Sequence, residues 1–141
     1  MNHPLTGFAN IVQLPVHWSN QDPLGHVNNV EYLRWAEYGR LAFLTDLGLF
    51  ELYQKEKIAP VLASITCDYR YPVTYPDAVE VGTCVQEVGE TSFTLAYRIA
   101  SVSKKRLAAE GTAVVVLYDL ENMQKSTIEQ DLRDVLHKHK G

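Results

Sequence analysis

Two periodicities divide the chain. From about Asn29 to Leu47, apolar residues recur at helical spacing. Val30, Leu33, Leu41, Leu44 and Leu47 form one stripe, widened by Tyr32, Trp35, Ala36, Ala42 and Phe43. The polar remainder, Glu31, Arg34, Tyr38 and Thr45, is narrow. The pattern predicts a long helix buried on most sides, in its own subunit or partly in an interface. Asn28 can cap it, and Glu31 three residues on completes a variant of the capping box. Gly48 suits a left-handed stop. Gly39 in mid-helix costs about 1 kcal/mol against alanine, which close packing against another backbone would explain.

After this helix the period becomes two. Val61 to Tyr71 alternates Val61, Ala63, Ile65, Cys67, Tyr69 and Tyr71 with Ser64, Thr66, Asp68 and Arg70, the pattern of a half-buried strand. Pro72 to Asp77 is a turn region, followed by a strand over Val79 to Val88 and a hairpin turn at Gly89-Glu90. Ser92 to Val102 places Phe93, Leu95, Tyr97 and Ile99 on one face. A basic turn, Ser103-Lys104-Lys105-Arg106, leads into Leu107 to Tyr118, whose Val114 to Leu117 run suits a central strand.

The flanks complete the order. Ile11 to Trp18 reads as a strand that Pro15 confines to an edge or a bulge, and Ser19 to Val27 as a polar loop. Glu51 to Ala59 is a mixed segment. Ser126 with Glu129 makes a second capping box, and Ile128, Leu132, Val135 and Leu136 predict a short C-terminal helix. The connections after the long helix are too short for crossovers, so those strands run antiparallel. One long helix against such a sheet is an α+β architecture.

The chain has 141 residues, which suggests a single domain over residues 1–141. Its net charge of −4 argues against a nucleic-acid binder that works by general electrostatics. Cys67 and Cys84 stand alone inside strand-like runs and read as small buried hydrophobes. Residues 1–20 show no secretory signal, and no apolar run is long enough for a membrane span, so a cytoplasmic location is expected.

The chemistry concentrates in Asp22-Pro23-Leu24-Gly25-His26-Val27-Asn28-Asn29. A carboxylate facing the start of a buried helix can attack a carbonyl, or activate water to do so, while the helix end stabilises the oxyanion. Asp22 before Pro23, taken alone, reads as an Asx-turn residue; the helix and motif around it favour catalysis. His26 can shape the helix entry or touch substrate, and Asn28 is first of all a cap. Glu37, with Arg40 three residues on, reads as an ion pair and is a weaker catalytic alternative. No second ligand sits at a helical or short loop spacing from His26, so no metal site is expected.

This order, with the run from Asp22 through Val30-Glu31-Tyr32-Leu33-Arg34-Trp35-Ala36-Glu37, resembles the hotdog-fold acyl-CoA thioesterases, 4-hydroxybenzoyl-CoA thioesterase-like group. The His-Val-Asn-Asn run is similar to that of plant acyl-carrier-protein thioesterases. The resemblance covers roughly Ile11 to Leu120. It implies a long central helix wrapped by a curled antiparallel sheet of about five strands, with subunits paired and active sites at the interface. By the same resemblance Asp22 is the nucleophile or general base, and the Asn29 backbone N–H binds the thioester oxygen. His26 and Asn28 support them.

The turn Gly89-Glu90-Thr91-Ser92 carries no positive charge, so contacts with coenzyme A phosphates would fall to Lys104, Lys105 and Arg106. Ser64, Thr66, Thr91 and Ser92 are further candidates for substrate contact. The expected protein is a homodimeric or homotetrameric thioester hydrolase with an acyl-CoA substrate and no separate cofactor, since coenzyme A is part of the substrate. Two other readings stay open: hydrolysis of acyl groups from acyl carrier protein, and a non-catalytic module that binds an acyl or coenzyme A ligand.

Overall fold

The computed structural model describes residues 3–141. Its strands are β1 (Asn10–Pro15), β2 (Ile58–Ile65), β3 (Asp68–Tyr69), β4 (Ala78–Val88), β5 (Ser92–Ser101), β6 (Arg106–Asp119) and β7 (Gln124–Lys125). Its helices are α1 (Asn29–Asp46), α2 (Leu49–Glu56) and α3 (Gln130–Lys138). The strands form one antiparallel sheet in the order β1-β4-β5-β6-β2, with β3 and β7 each pairing to β6. The helix α1 packs on β1, β4 and β5. This is the α+β hotdog arrangement that the resemblance implied.

The face that α1 buries is not the expected stripe. Tyr32, Trp35, Ala36, Gly39, Arg40, Phe43 and Leu44 are buried, whereas Val30 and Leu41 are 50% and 40% exposed. The residues expected to widen the stripe form its centre. Two adjoining faces of this helix are apolar, and periodicity alone does not say which one meets the sheet. Phe43, buried with Phe93 and Leu95, contributes on the order of 1.5–3 kcal/mol of burial energy. A Cβ on Gly39 would stand 2.5 Å from Val81 Cγ1 and 3.2 Å from Thr83 Oγ1. The close approach is therefore to side chains of β4.

The caps are partly as expected. The Asn28 side chain accepts the Val30 N–H, and Gly48, with φ of +80°, follows the helix end. Glu31 does not complete the capping box. It accepts from Asn20 Nδ2 at 3.1 Å, and the Asn28 N–H is donated to the Asn20 carbonyl at 2.9 Å. The last helix begins at Gln130 with Glu129 at its N-cap, not after Ser126, whose N–H is donated to the Leu117 carbonyl at 2.9 Å.

The expected strand from Val61 to Tyr71 also differs. It starts at Ile58, shifts register between Leu62 and Ser64, and breaks after Ile65 before β3. Residues 61–64 are exposed on both faces. Within one subunit β2 ends the sheet, paired only with β6.

Candidate active site

The loop before α1 is a chain of backbone hydrogen bonds. The Asp22 N–H donates to the His26 carbonyl at 2.8 Å, and the Gly25 N–H donates to the Asp22 carbonyl at 3.0 Å. Gly25 has φ of +80°, a conformation open to glycine at little cost. The Asp22 Oδ1 accepts the Leu24 N–H at 2.9 Å, so the Asx turn is formed. Val27 is buried, and its N–H donates to the Val73 carbonyl at 2.9 Å, which fixes the loop to the segment after β3.

These bonds bring Asp22 to one wall of an open cleft of about 370 Å³. Val27, Asn29, Tyr32, Tyr69, Arg70, Tyr71 and Pro72 line the rest. At the helix start, the Asn28, Val30 and Glu31 amides donate to Asn20 O, Asn28 Oδ1 and Asn28 O. The Asn29 amide has no acceptor among the described residues. A free donor at a helix N-terminus carries partial positive charge and favours an anionic oxygen.

The aromatic wall was not read from the sequence. The Tyr69 hydroxyl donates to the Asn29 carbonyl at 3.3 Å, and its ring meets Tyr32 edge-on at 5.2 Å. The Tyr32 hydroxyl accepts the Val73 N–H at 3.0 Å. Desolvation raises the pKa of both phenols, so they stay neutral. Only folding β3 beside the start of α1 makes these residues neighbours. Their one sequence signal is the Tyr69-Arg70-Tyr71-Pro72 run.

The other expected residues are spread more widely. His26 is exposed, and among the described residues its imidazole has no hydrogen bond. Glu37 lies 3.9 Å from Arg40, with its side chain 53% exposed, and takes the ion-pair role. Ser64 is on the open β2 edge. Thr66 is tied to Thr112, accepting its N–H on Oγ1 at 2.9 Å, and opens on a different groove with Gln86 and Arg98. Thr91 and Ser92 lie at the far end of the sheet, where β4 turns into β5. Lys104 and Lys105 are exposed on the β5–β6 turn, at the end where the cleft lies, and the Arg106 guanidinium stacks 4.5 Å over Tyr71.

The cysteines are both free and partly buried. Cys67 sits by the hydroxyls of Tyr69 and Tyr97. Among the described residues no three His, Cys, Asp or Glu side chains are grouped to hold a metal ion. Among the described residues no helix is long and apolar enough to cross a membrane.

Comparison with known proteins gives one consistent result. The family model described as the thioesterase-like superfamily matches residues 16–136. The long-chain acyl-CoA thioesterase FadM of Escherichia coli is 27% identical over 124 residues, 88% of this chain and 94% of that protein. A thioesterase from Thermus thermophilus, solved in complex with coenzyme A and Zn, superposes with a TM-score of 0.80 at 26% identity. The match covers 96% of this chain and 98% of that one. A predicted thioesterase from Bacillus stearothermophilus gives 0.81 at 26% identity, covering 93% and 96%.

Proposed function

The chain belongs to the thioesterase-like superfamily, and from that premise we propose that it hydrolyses acyl-CoA thioesters to the free acid and coenzyme A. One observation carries the reading: Asp22 and Asn29, whose amide has no acceptor among the described residues, line the same cleft. A thioester carbonyl set between them would place its oxygen against the helix N-terminus and its carbon toward the carboxylate.

Two routes use this arrangement. Asp22 attacks the carbonyl carbon, the C–S bond breaks, and water hydrolyses the resulting mixed anhydride. Alternatively, Asp22 takes a proton from water as the water oxygen bonds to the carbon and the thiolate departs. A thiolate is a good leaving group, so one carboxylate and one donor suffice. Asn28 keeps the amide in place through its cap. Arg106, stacked over Tyr71 of the cleft wall, is suited to phosphate oxygens of the nucleotide, whereas Arg70 is paired with Asp68 and Glu110.

A homodimer is part of this reading. Val61 and Leu62 are exposed on the open β2 edge beside unpaired backbone groups, and Val30 and Leu41 are exposed on α1. A second copy pairing along β2 would cover that edge.

The test is a panel of acyl-CoA thioesters of graded chain length, followed by release of free thiol. Turnover above the spontaneous rate, with a maximum along the series, is the expected result. Stabilisation by ligand without any turnover would make the protein a binding module instead.

A further inference from the structure

We propose that the end of the subunit bearing the cleft docks on an anionic lipid bilayer, with Trp18 and Leu24 entering the interface and Lys104 and Lys105 meeting the headgroups. Trp18 is 72% and Leu24 80% exposed, and they flank Asp22 on one loop. Tyr75, 46% exposed, is on the adjoining loop. The two loops are latched, because the Tyr75 N–H donates to Gln21 Oε1 at 3.2 Å.

The cations stand beside them on a fixed turn. Asp77 accepts from Ser101 Oγ and from the Ser103 N–H at 3.0 Å, which ties the β5–β6 turn to the loop bearing Tyr75. Lys104 and Lys105 are exposed on that turn, and neither has an ion-pair partner among the described residues. Among the acids at this end, Asp77 accepts these bonds and Glu31 accepts from Asn20, while Asp22 lies between Trp18 and Leu24.

This combination selects among occupants. An indole and a leucine at protruding loops gain by entering a bilayer interface, where tryptophan sits at headgroup level. Lysines beside them gain from a negative surface only at close range, which suits a chain whose net charge is −4. A second copy has its own open edge at β2, with Val61 and Leu62 exposed on it. An acidic carrier protein would use the lysines but has less need of Leu24. Docking would hold the cleft mouth at the surface where amphipathic acyl-CoA partitions. That use rests on the proposed hydrolysis, whereas the docking itself rests on the surface.

The chain carries its own probe. It has two tryptophans, and Trp35 is 4% exposed, so a solvent-sensitive emission change reports Trp18. The intact protein is mixed, without acyl-CoA, with phosphatidylcholine vesicles or with mixed phosphatidylcholine–phosphatidylglycerol vesicles. On the mixed vesicles the protein should co-sediment, and its emission should shift to the blue and be quenched by brominated acyl chains.

Leu24→Asp, and Lys104→Glu with Lys105→Glu, should each lower the bound fraction by about tenfold, with far-UV circular dichroism unchanged. Absence of wild-type co-sedimentation overturns the proposal. So does binding undiminished in both variants, or an emission shift with acidic acyl carrier protein but not with vesicles. Since no turnover is measured, a failure here leaves the hydrolysis reading standing, and an inactive protein that binds vesicles leaves this one standing.

Discussion

The Asp22 carboxylate accepts the Leu24 amide on Oδ1 at 2.9 Å, and its Oδ2 has no hydrogen bond among the described residues. One oxygen therefore shapes the turn while the other is not used by it. The structural and the chemical readings of this residue coexist. They can be separated, because asparagine also closes an Asx turn through its side-chain oxygen. Asp22→Asn should keep the melting temperature and lower thiol release on acyl-CoA by about 10²–10⁴-fold. A rate close to wild type would remove Asp22 from the chemistry.

Asn28 gives a second division of roles. Its side chain accepts the Val30 N–H at 2.9 Å, and the neighbouring Asn29 amide has no acceptor among the described residues. Asn28→Ala should cost about 1 kcal/mol in urea unfolding. Asn28→Asp keeps the cap and favours the helix dipole, so stability should hold. Its added negative charge lies beside the proposed oxyanion position, so kcat should fall more than KM changes. Equal activity in wild type and Asn28→Asp would argue against an oxyanion at the helix start.

How much of this was legible follows physical lines. Local devices read well: the Asn28 cap, the Gly48 stop, and the alternation that buries Phe93, Leu95, Tyr97 and Ile99. They depend on residues a few positions apart. The stripe of α1 read less well, since Val30 and Leu41 are as apolar as the buried face, and only the sheet selects between them. Glu31 found Asn20 instead of its own cap because the loop folds back, which no local rule encodes. In the candidate site the Asp22–Asn29 stretch was visible as a motif. Tyr32 and Tyr69 were not part of it, because their meeting spans distant segments.

Gly39 tests the packing of α1 directly. Alanine there would gain roughly 1 kcal/mol of helix propensity. Its Cβ would also stand 2.5 Å from Val81 Cγ1, and overpacking of this kind costs about 1–3 kcal/mol. Gly39→Ala should therefore be destabilised by about 1 kcal/mol in denaturant unfolding. Joined with Val81→Ala, which removes the obstructing methyl, it should cost less than the two single changes added together. Simple additivity would mean that the helix stands off the strand.

The Asp77–Ser101 contact predicts a pH dependence with a definite sign. Desolvation pushes the Asp77 carboxyl up, but hydrogen bonds from Ser101, Ser103 and Ala78 outweigh it and hold the group below its ordinary value. A carboxyl depressed in the folded state binds fewer protons there than in the unfolded chain. Its stabilisation is complete above the unfolded pKa, about 3.9, and is lost as pH falls through the lower folded value. Ser101 is 1% exposed, and its hydroxyl donates to Asp77 Oδ2. Ser101→Ala should cost about 1 kcal/mol at neutral pH. In urea unfolding, the gap between wild type and variant should stay level down to about pH 4 and close below it, as protonated Asp77 loses its preference for the hydroxyl. A gap that widens on acidification would mean that the hydroxyl favours the protonated carboxyl. The turn bearing Lys104 and Lys105 would then be held by something other than this charge.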